Sequence, residues 1–314
     1  MDEKRNNWKA WLYLSPVLLL MAVFTFYPIL NTIVVSFLKD YNTMTGQNSG
    51  FTFYNYAYIL GLKEKYAGTG VYNHDFFSWN SPSAFSNTMF ITFVTVPISV
   101  VLALIIAIAI NSIPKCKKLF QTIFFLPYVT NVIAVGMVFY VIFGTTGVFN
   151  RIFGLHTPWL SDNSATWGSC MAVLCLYIIW TALPYKILIF LSGLQNIDKQ
   201  YTDAARVDGA SRFRIHLRIT VPLLSPQILY ITVVSFISAF KEYGAIVGLL
   251  NRSNSRLGNG HNLYTIVYFI MDMMETTNWT TQTQYASAAA VILFLIILIF
   301  TIIELQISKK RVVY

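Results

Sequence analysis

The stretch YTDAARVDGASRFRIHLRITVPLLSP, residues 201–226, differs sharply from its flanks, which are almost all Leu, Ile, Val and Phe. Thr202 can cap a helix start, with Asp203 in the first turn, where negative charge suits the positive end of the helix dipole. Ala204 and Ala205 keep that helix thin, so that another surface can approach its backbone. Gly209 is a natural stop, because a helix end favours the left-handed conformation that glycine takes freely. Ser211 can cap a second helix. Phe213 with Leu217, and Ile215 with Ile219, then follow at helical spacing towards Val221, while Arg212, Arg214 and Arg218 suit lipid headgroups. The segment predicts a compact helix-turn-helix. A linker resting on lipid needs neither Asp203-Ala204-Ala205 nor Asp208-Gly209-Ala210; a slim knob that docks into another protein does.

The rest of the chain sets where that knob stands. Of 314 residues, 56% are hydrophobic and 11% charged, and the mean hydropathy is +0.58. Soluble domains carry roughly a quarter charged residues, so the expected solvent is lipid. The net charge of +9 is scattered over short segments and forms no basic domain, which argues for a membrane surface and against nucleic acid. Cys170 and Cys175, five apart in an apolar run, would point to different faces of a helix. With Cys116 they read as small packing residues, not as a disulfide framework or a zinc site.

Six stretches approach or exceed the ~20 apolar residues that cross a bilayer as a helix: 11–38, 87–113, 120–143, 168–192, 219–240 and 286–307. The first is too long for a secretory leader and lacks a small-residue cleavage site, so it reads as an uncleaved span. With the N-terminus inside, fourteen of the 22 Lys and Arg residues lie on the inner side and seven on the outer; Lys186 lies within a span. Both ends are therefore expected in the cytoplasm, and residues 201–218 with them. Residues 39–86 and 241–285 become the two long outer loops. The reading is an all-α integral membrane protein: a cytosolic segment 1–10, then one transmembrane domain over 11–314 with a cytosolic helix-turn-helix loop at about 193–219. Prolines mark five of the six spans (Pro16, Pro28, Pro97, Pro127, Pro184, Pro222 and Pro226). They predict kinks in a bundle that encloses a cavity. Asn251 and Asn278 stand in Asn-x-Ser/Thr patterns too short to carry weight.

The order Asp203-Ala204-Ala205, three residues, Gly209, then Ile219-Thr220-Val221-Pro222 resembles the signature of the inner-membrane permeases of binding-protein-dependent ABC importers. The carbohydrate-uptake class, which includes the maltose permeases, is the closest. The likeness covers most of the chain: LSPVLLLMAVFTFYPIL in the first span, FFLPYV, WTALPY, LSGLQNI, VPLLSP and finally YASAAAVILFLIILI. It implies a permease subunit in the inner or plasma membrane of a prokaryote, forming half of a path for a sugar, oligosaccharide or polyol. Its implied partners are a second permease, a different chain, two ATPase subunits and an extracellular or periplasmic binding protein. The resemblance makes the knob this chain's coupling helix, seated in a cleft of an ATPase subunit, with Asp203, Ala204, Ala205, Asp208, Gly209 and Ala210 in contact. The family's usual first residue is Glu, so Asp203 must reach its partner with a side chain one methylene shorter.

No cofactor is implied in this chain. It has no G-x-x-x-x-G-K-[ST] phosphate loop, so ATP and Mg belong to the partner ATPase and the chain is not expected to be an enzyme. The resemblance makes Tyr185 the first substrate candidate, with Thr181, Ala182 and Glu242 at or beside other sugar-contacting positions. From the residues alone, Trp180 is a plate on which a sugar ring could stack, and Asn131 a group that could bond a hydroxyl. Lys186 is expected to snorkel to the inner surface, away from substrate. The competing reading, a secondary transporter or channel working alone, predicts transport without an ATPase partner. An integral-membrane enzyme lacks a nucleophile–base–acid set.

Overall fold

The structure is a computed structural model describing residues 7–64, 73, 75–78, 82–113, 117–160, 165–250, 256–257, 261–275 and 279–308. The first six residues, Cys116, Asn251 and Asn278 lie outside them. Apart from a two-residue antiparallel ladder, Arg256–Leu257 with His261–Asn262, the described secondary structure is helical. Among the described residues four helices are long and apolar enough to cross a bilayer unbroken: Trp8–Ser36, Ala84–Ser112, Trp167–Gln195 and Gln282–Ile307. Two pairs qualify together: Lys118–Val129 with Val132–Ile142, bent by 98°, and Arg212–Leu223 with Ser225–Phe240, bent by 69°. Counting each bent pair as one span gives the six expected from sequence.

The prolines do not all act alike. Pro97 and Pro184 sit inside unbroken helices, so these two prolines do not break their spans. The breaks fall where other signals help. In the third span Asn131 takes an extended conformation, and its side-chain oxygen accepts from Ile133 N–H at 2.8 Å and Ala134 N–H at 3.3 Å. That cap starts a new helix in a new direction. In the fifth span Leu224 breaks the helix between Pro222 and Pro226.

The chain divides into two compact units. The first comprises Met1–Asn73 and Phe269–Phe294. Here α1 (Asn7–Met21) runs through a π-helical turn, Ala22–Phe26, into α2 (Tyr27–Ser36). None of its apolar window is buried, as befits a helix facing lipid. Its end is pinned by α3 (Tyr54–Ile59): Ser36 Oγ lies 2.6 Å from Tyr56 OH, and Asn55 Nδ2 donates to the carbonyls of Ser36 and Leu38 at 2.9 and 2.8 Å.

The second unit comprises His74–Tyr268 and Leu295–Tyr314. Its frame is α4 (Ala84–Ser112) packed along α8 (Trp167–Gln195). Each starts with a reciprocal capping box, Ser83 with Ser86 and Thr166 with Ser169, which satisfies the first orphan amides. Each spans about 43 Å at 1.5 Å per residue. α4 buries Ala103 and Ala107 completely, small residues that let a neighbouring helix approach closely. Between them in the chain run α5 (Lys117–Val129), α6 (Val132–Ile142) and the short α7 (Val148–Phe153). After α8 come α9 (Lys199–Val207), α10 (Arg212–Ile215), α11 (Val221–Leu223) and α12 (Ser225–Phe240), the last packed on α4. α13 (Gly244–Leu250) packs on α6, a helix within residues 241–285, for which the sequence predicts only an outer loop. α14 (Ile266–Glu275) and α15 (Trp279–Ser308) each belong partly to both units.

Asn87 ties distant parts of this unit together: its amide donates to Tyr264 O at 3.0 Å and its oxygen accepts from Trp167 Nε1 at 3.0 Å. One turn on, Thr88 Oγ1 accepts from Ile266 N–H at 3.0 Å. Asn87 is wholly buried, so Asn87→Ala strands a carbonyl and an indole N–H. A loss of about 2–3 kcal/mol follows, measurable as a lower thermal midpoint in detergent.

Candidate functional site

The second unit forms a half-open cavity of about 470 Å³, within the roughly 300–1,000 Å³ of small-molecule sites. Its walls come from four spans. α4 contributes Thr95, Val96 and Ser99; α5 and the break after it contribute Pro127, Tyr128 and Thr130; α6 adds Val132 and Val135. α8 contributes Ile178, Thr181, Ala182, Tyr185 and Lys186, and α12 with the residues after it contributes Val234, Ser235, Ser238, Ala239 and Glu242. The hydroxyls matter most. Ser99 Oγ donates to Thr95 O at 2.6 Å, Thr130 Oγ1 to Leu126 O at 2.8 Å and Thr181 Oγ1 to Tyr177 O at 3.0 Å. A hydroxyl whose hydrogen is spent on its own helix keeps its lone pairs as acceptors. The wall is thus rich in small acceptors, suited to a ligand that brings many O–H donors.

Aromatic rings complete it. Tyr128 and Tyr185 stack with centroids 6.2 Å apart at 19°, and Tyr185 OH lies 3.1 Å from Tyr230 OH. Behind the wall, Tyr177 is buried and its hydroxyl donates to Val132 O at 2.6 Å, holding α8 to the start of α6. Glu242 closes α13: its Oε1 accepts from Ala245 N–H at 2.8 Å, and its carbonyl accepts from Thr265 Oγ1 at 2.7 Å. Burial pushes this carboxyl above the usual carboxylate range, partly opposed by the amides of Ala245 and Tyr243.

Of the residues expected from sequence, Thr181, Ala182, Tyr185 and Glu242 line one cavity. Trp180 does not line it; its ring packs on Phe139 at 5.5 Å, because one residue along a helix turns a side chain by about 100°. Asn131 does not line it either, its oxygen being committed to the cap of α6. Lys186 is the larger correction. It does not snorkel: it is 5% exposed, lines the cavity, and its Nζ donates to Ser99 Oγ. Thr95, Ser99, Tyr128, Thr130, Ser235 and Ser238 were missed. A signal existed for one of them, since the triplet Leu-Pro-Tyr occurs twice, at 126–128 and 183–185, and both tyrosines face the cavity. Isolated Ser and Thr in apolar helices carry no comparable mark. Among the described residues no group of three or more His, Cys, Asp or Glu could hold a metal ion.

The helix-turn-helix of residues 199–215 is present with a shifted start. Asp198, not Thr202, caps α9 by accepting from Gln200 N–H at 2.9 Å, and Thr202 donates back to Lys199 O at 2.8 Å. Asp203 pairs with Arg206 at 3.2 Å, both well exposed. The end is as expected: Gly209 has φ +76°, its N–H donates to Arg206 O at 3.0 Å, and Ala210 N–H donates to Ala205 O at 2.9 Å. These two bonds close the helix C-terminus. Ser211 caps α10 through Arg214 N–H at 3.4 Å. Ala204 and Asp208 are exposed beside Val207, which is 88% exposed; an apolar side chain so bare suits a surface that another protein covers.

Comparison with known proteins places this geometry. The chain is 28% identical over 313 residues to the lactose transport system permease protein LacF of Rhizobium radiobacter, covering 96% of this chain and 94% of that protein. It is 28% identical over 321 residues to the arabinooligosaccharides transport system permease protein AraP of Bacillus subtilis strain 168, covering 97% and 93%. Its fold matches a chain of a bacterial ABC transporter that imports the acidic polysaccharide alginate, with TM-score 0.76 and 18% identity over 98% of this chain and 97% of that one. Residues 80–313 match the family described as binding-protein-dependent transport system inner membrane component. A helical frame of broken and unbroken spans around a cavity that carries several hydroxyls, matched over that length, settles the assignment: the chain belongs to the family of binding-protein-dependent transport system inner membrane components.

Proposed function

We propose that this chain is the permease subunit of an ATP-driven importer and forms half of the path for a carbohydrate handed over by a separate binding protein. The observation that carries the reading is the cavity wall, in which Thr95, Ser99, Thr130, Thr181, Ser235 and Ser238 bring hydroxyls beside the Tyr128–Tyr185 pair. Small acceptors bond sugar hydroxyls, and flat rings pack against sugar C–H faces. The relatives named for lactose and for arabinooligosaccharides support the same class. The chain's ends and residues 199–215 face the cytoplasm, where Ala204, Ala205, Asp208, Gly209 and Ala210 seat in a partner ATPase that binds ATP and Mg. Asp203, already paired with Arg206, exchanges that exposed and weak pair for a partner on the ATPase. A second permease chain supplies the other half of the path.

Purification in a mild detergent tests the assembly. An ATPase subunit and a second permease are expected to co-purify, and uptake into proteoliposomes to require ATP and the binding protein. ATP-independent uptake by the isolated chain would replace this reading with that of a secondary transporter or channel. For the site, Tyr185→Ala removes both the ring against Tyr128 and the hydroxyl beside Tyr230. Uptake is expected to fall about tenfold or more, the equivalent of ~1.4 kcal/mol, while gel filtration shows intact assembly. Tyr185→Phe keeps the ring and is expected to lose less.

A further inference from the structure

We propose that Lys186 reads an anionic group on the transported saccharide, a carboxylate or a phosphate ester, so that the cavity serves an acidic and not a neutral sugar. This rests on the carbohydrate-permease reading above and narrows it. Lys186 projects from α8 one residue after Tyr185, is 5% exposed and lines the same cavity. Its Nζ donates to Ser99 Oγ, and Ser99 passes its own hydrogen to Thr95 O. That relay of one hydroxyl and one backbone carbonyl orients the amine without neutralising it. Among the described residues no carboxylate forms an ion pair with Lys186 within 4.0 Å. Glu242 shares the cavity, yet its Oε1 is held by Ala245 N–H and serves as the cap of α13.

An ammonium has three donors, and Ser99 takes one. A cation buried at membrane depth without a counter-charge is strongly unfavourable, and such residues mark substrate pathways. An oxyanion entering the cavity supplies both the charge and the missing acceptors. The surrounding hydroxyls bond the remainder of the sugar, so one site combines an ionic anchor with a neutral acceptor wall.

The experiment uses the complete importer, with its ATPase, sister permease and binding protein, in proteoliposomes. Uptake is measured for a matched panel of gluco-, galacto- and manno-configured disaccharides, each neutral, with one uronate, or with one phosphate ester. The expected result is uptake of an acidic member at least about tenfold faster than of its neutral counterpart; the uronate and ester arms show which oxyanion is used. Lys186→Met is expected to lower uptake of that acidic sugar by about a hundredfold, whereas Lys186→Arg retains most of it. Uptake confined to neutral members overturns the proposal without any variant, as does acidic uptake that Lys186→Met leaves intact. Uptake of no member at all overturns the carbohydrate reading itself.

Discussion

Gly136→Val is expected to yield almost no folded protein. At that position α6 and α13 cross backbone on backbone. A Cβ on Gly136 would overlap the carbonyl of Gly248 and stand 2.7 Å from its Cα. From the other side, a Cβ on Gly248 would lie 3.0 Å from Val132 O and 3.2 Å from Ile133 Cα. No flexible side chain is available to move aside, so the two helices must separate. Overfilling a core by side chains alone costs ~1–3 kcal/mol, and backbone overlap costs more. Separation would also strain the Tyr177–Val132 bond and displace the segment that Glu242 caps. Against a total stability of roughly 5–15 kcal/mol, that is decisive. The check is the yield of monodisperse protein in mild detergent and its thermal midpoint. Gly248→Ala, with contacts of 3.0–3.2 Å, is expected to lower the midpoint less. A Gly136→Val protein melting like the parent would mean that α6 and α13 do not cross at these glycines.

Gly209→Val is expected to act in the opposite manner, with little loss of fold and a large loss of transport. Nothing lies within 4 Å of a Cβ at Gly209, so the cost comes from its φ of +76°. Holding a residue with a side chain in that left-handed region costs roughly 1–2 kcal/mol, and a β-branched residue sits at the upper end. The easier response is local: the bonds from Gly209 and Ala210 to Arg206 and Ala205 open, and the turn between α9 and α10 changes direction. A lipid-resting linker would tolerate that change. A knob seated in an ATPase cleft would not, and ATP-driven uptake is expected to fall at least about tenfold while the thermal midpoint moves by only a few degrees. Uptake matching the parent, with the turn confirmed as altered, would remove residues 203–210 from the coupling path.

The order and rough bounds of the spans were legible in the chain because a bilayer imposes a one-dimensional rule: ~20 apolar residues in a row. The turn at Gly209 and the cap at Ser211 were legible for a similar reason, since each depends on residues within four positions. Tyr185 and Thr181 were reached through a family likeness, and Tyr128 was within reach through the repeated Leu-Pro-Tyr. The misread positions share a cause. Trp180 stands next to cavity-lining Thr181 in sequence, but helical geometry sends it to Phe139. Asn131 has the right chemistry for a sugar, but it spends its oxygen on two backbone amides.

From the amino-acid sequence alone followed the solvent, the number of crossings and the existence of a small-surfaced elbow between the fourth and fifth spans, all of them properties of contiguous residues. Only the tertiary structure decided that Thr95, Ser99, Thr130, Ser235 and Ser238 share one cavity, that α13 folds onto α6 at paired glycines, and that Lys186 turns inward to Ser99. The physical reason is that a lysine's direction, like a hydroxyl's, is set by what packs around its helix. Those neighbours come from spans on average many tens of residues away, where no local pattern records them.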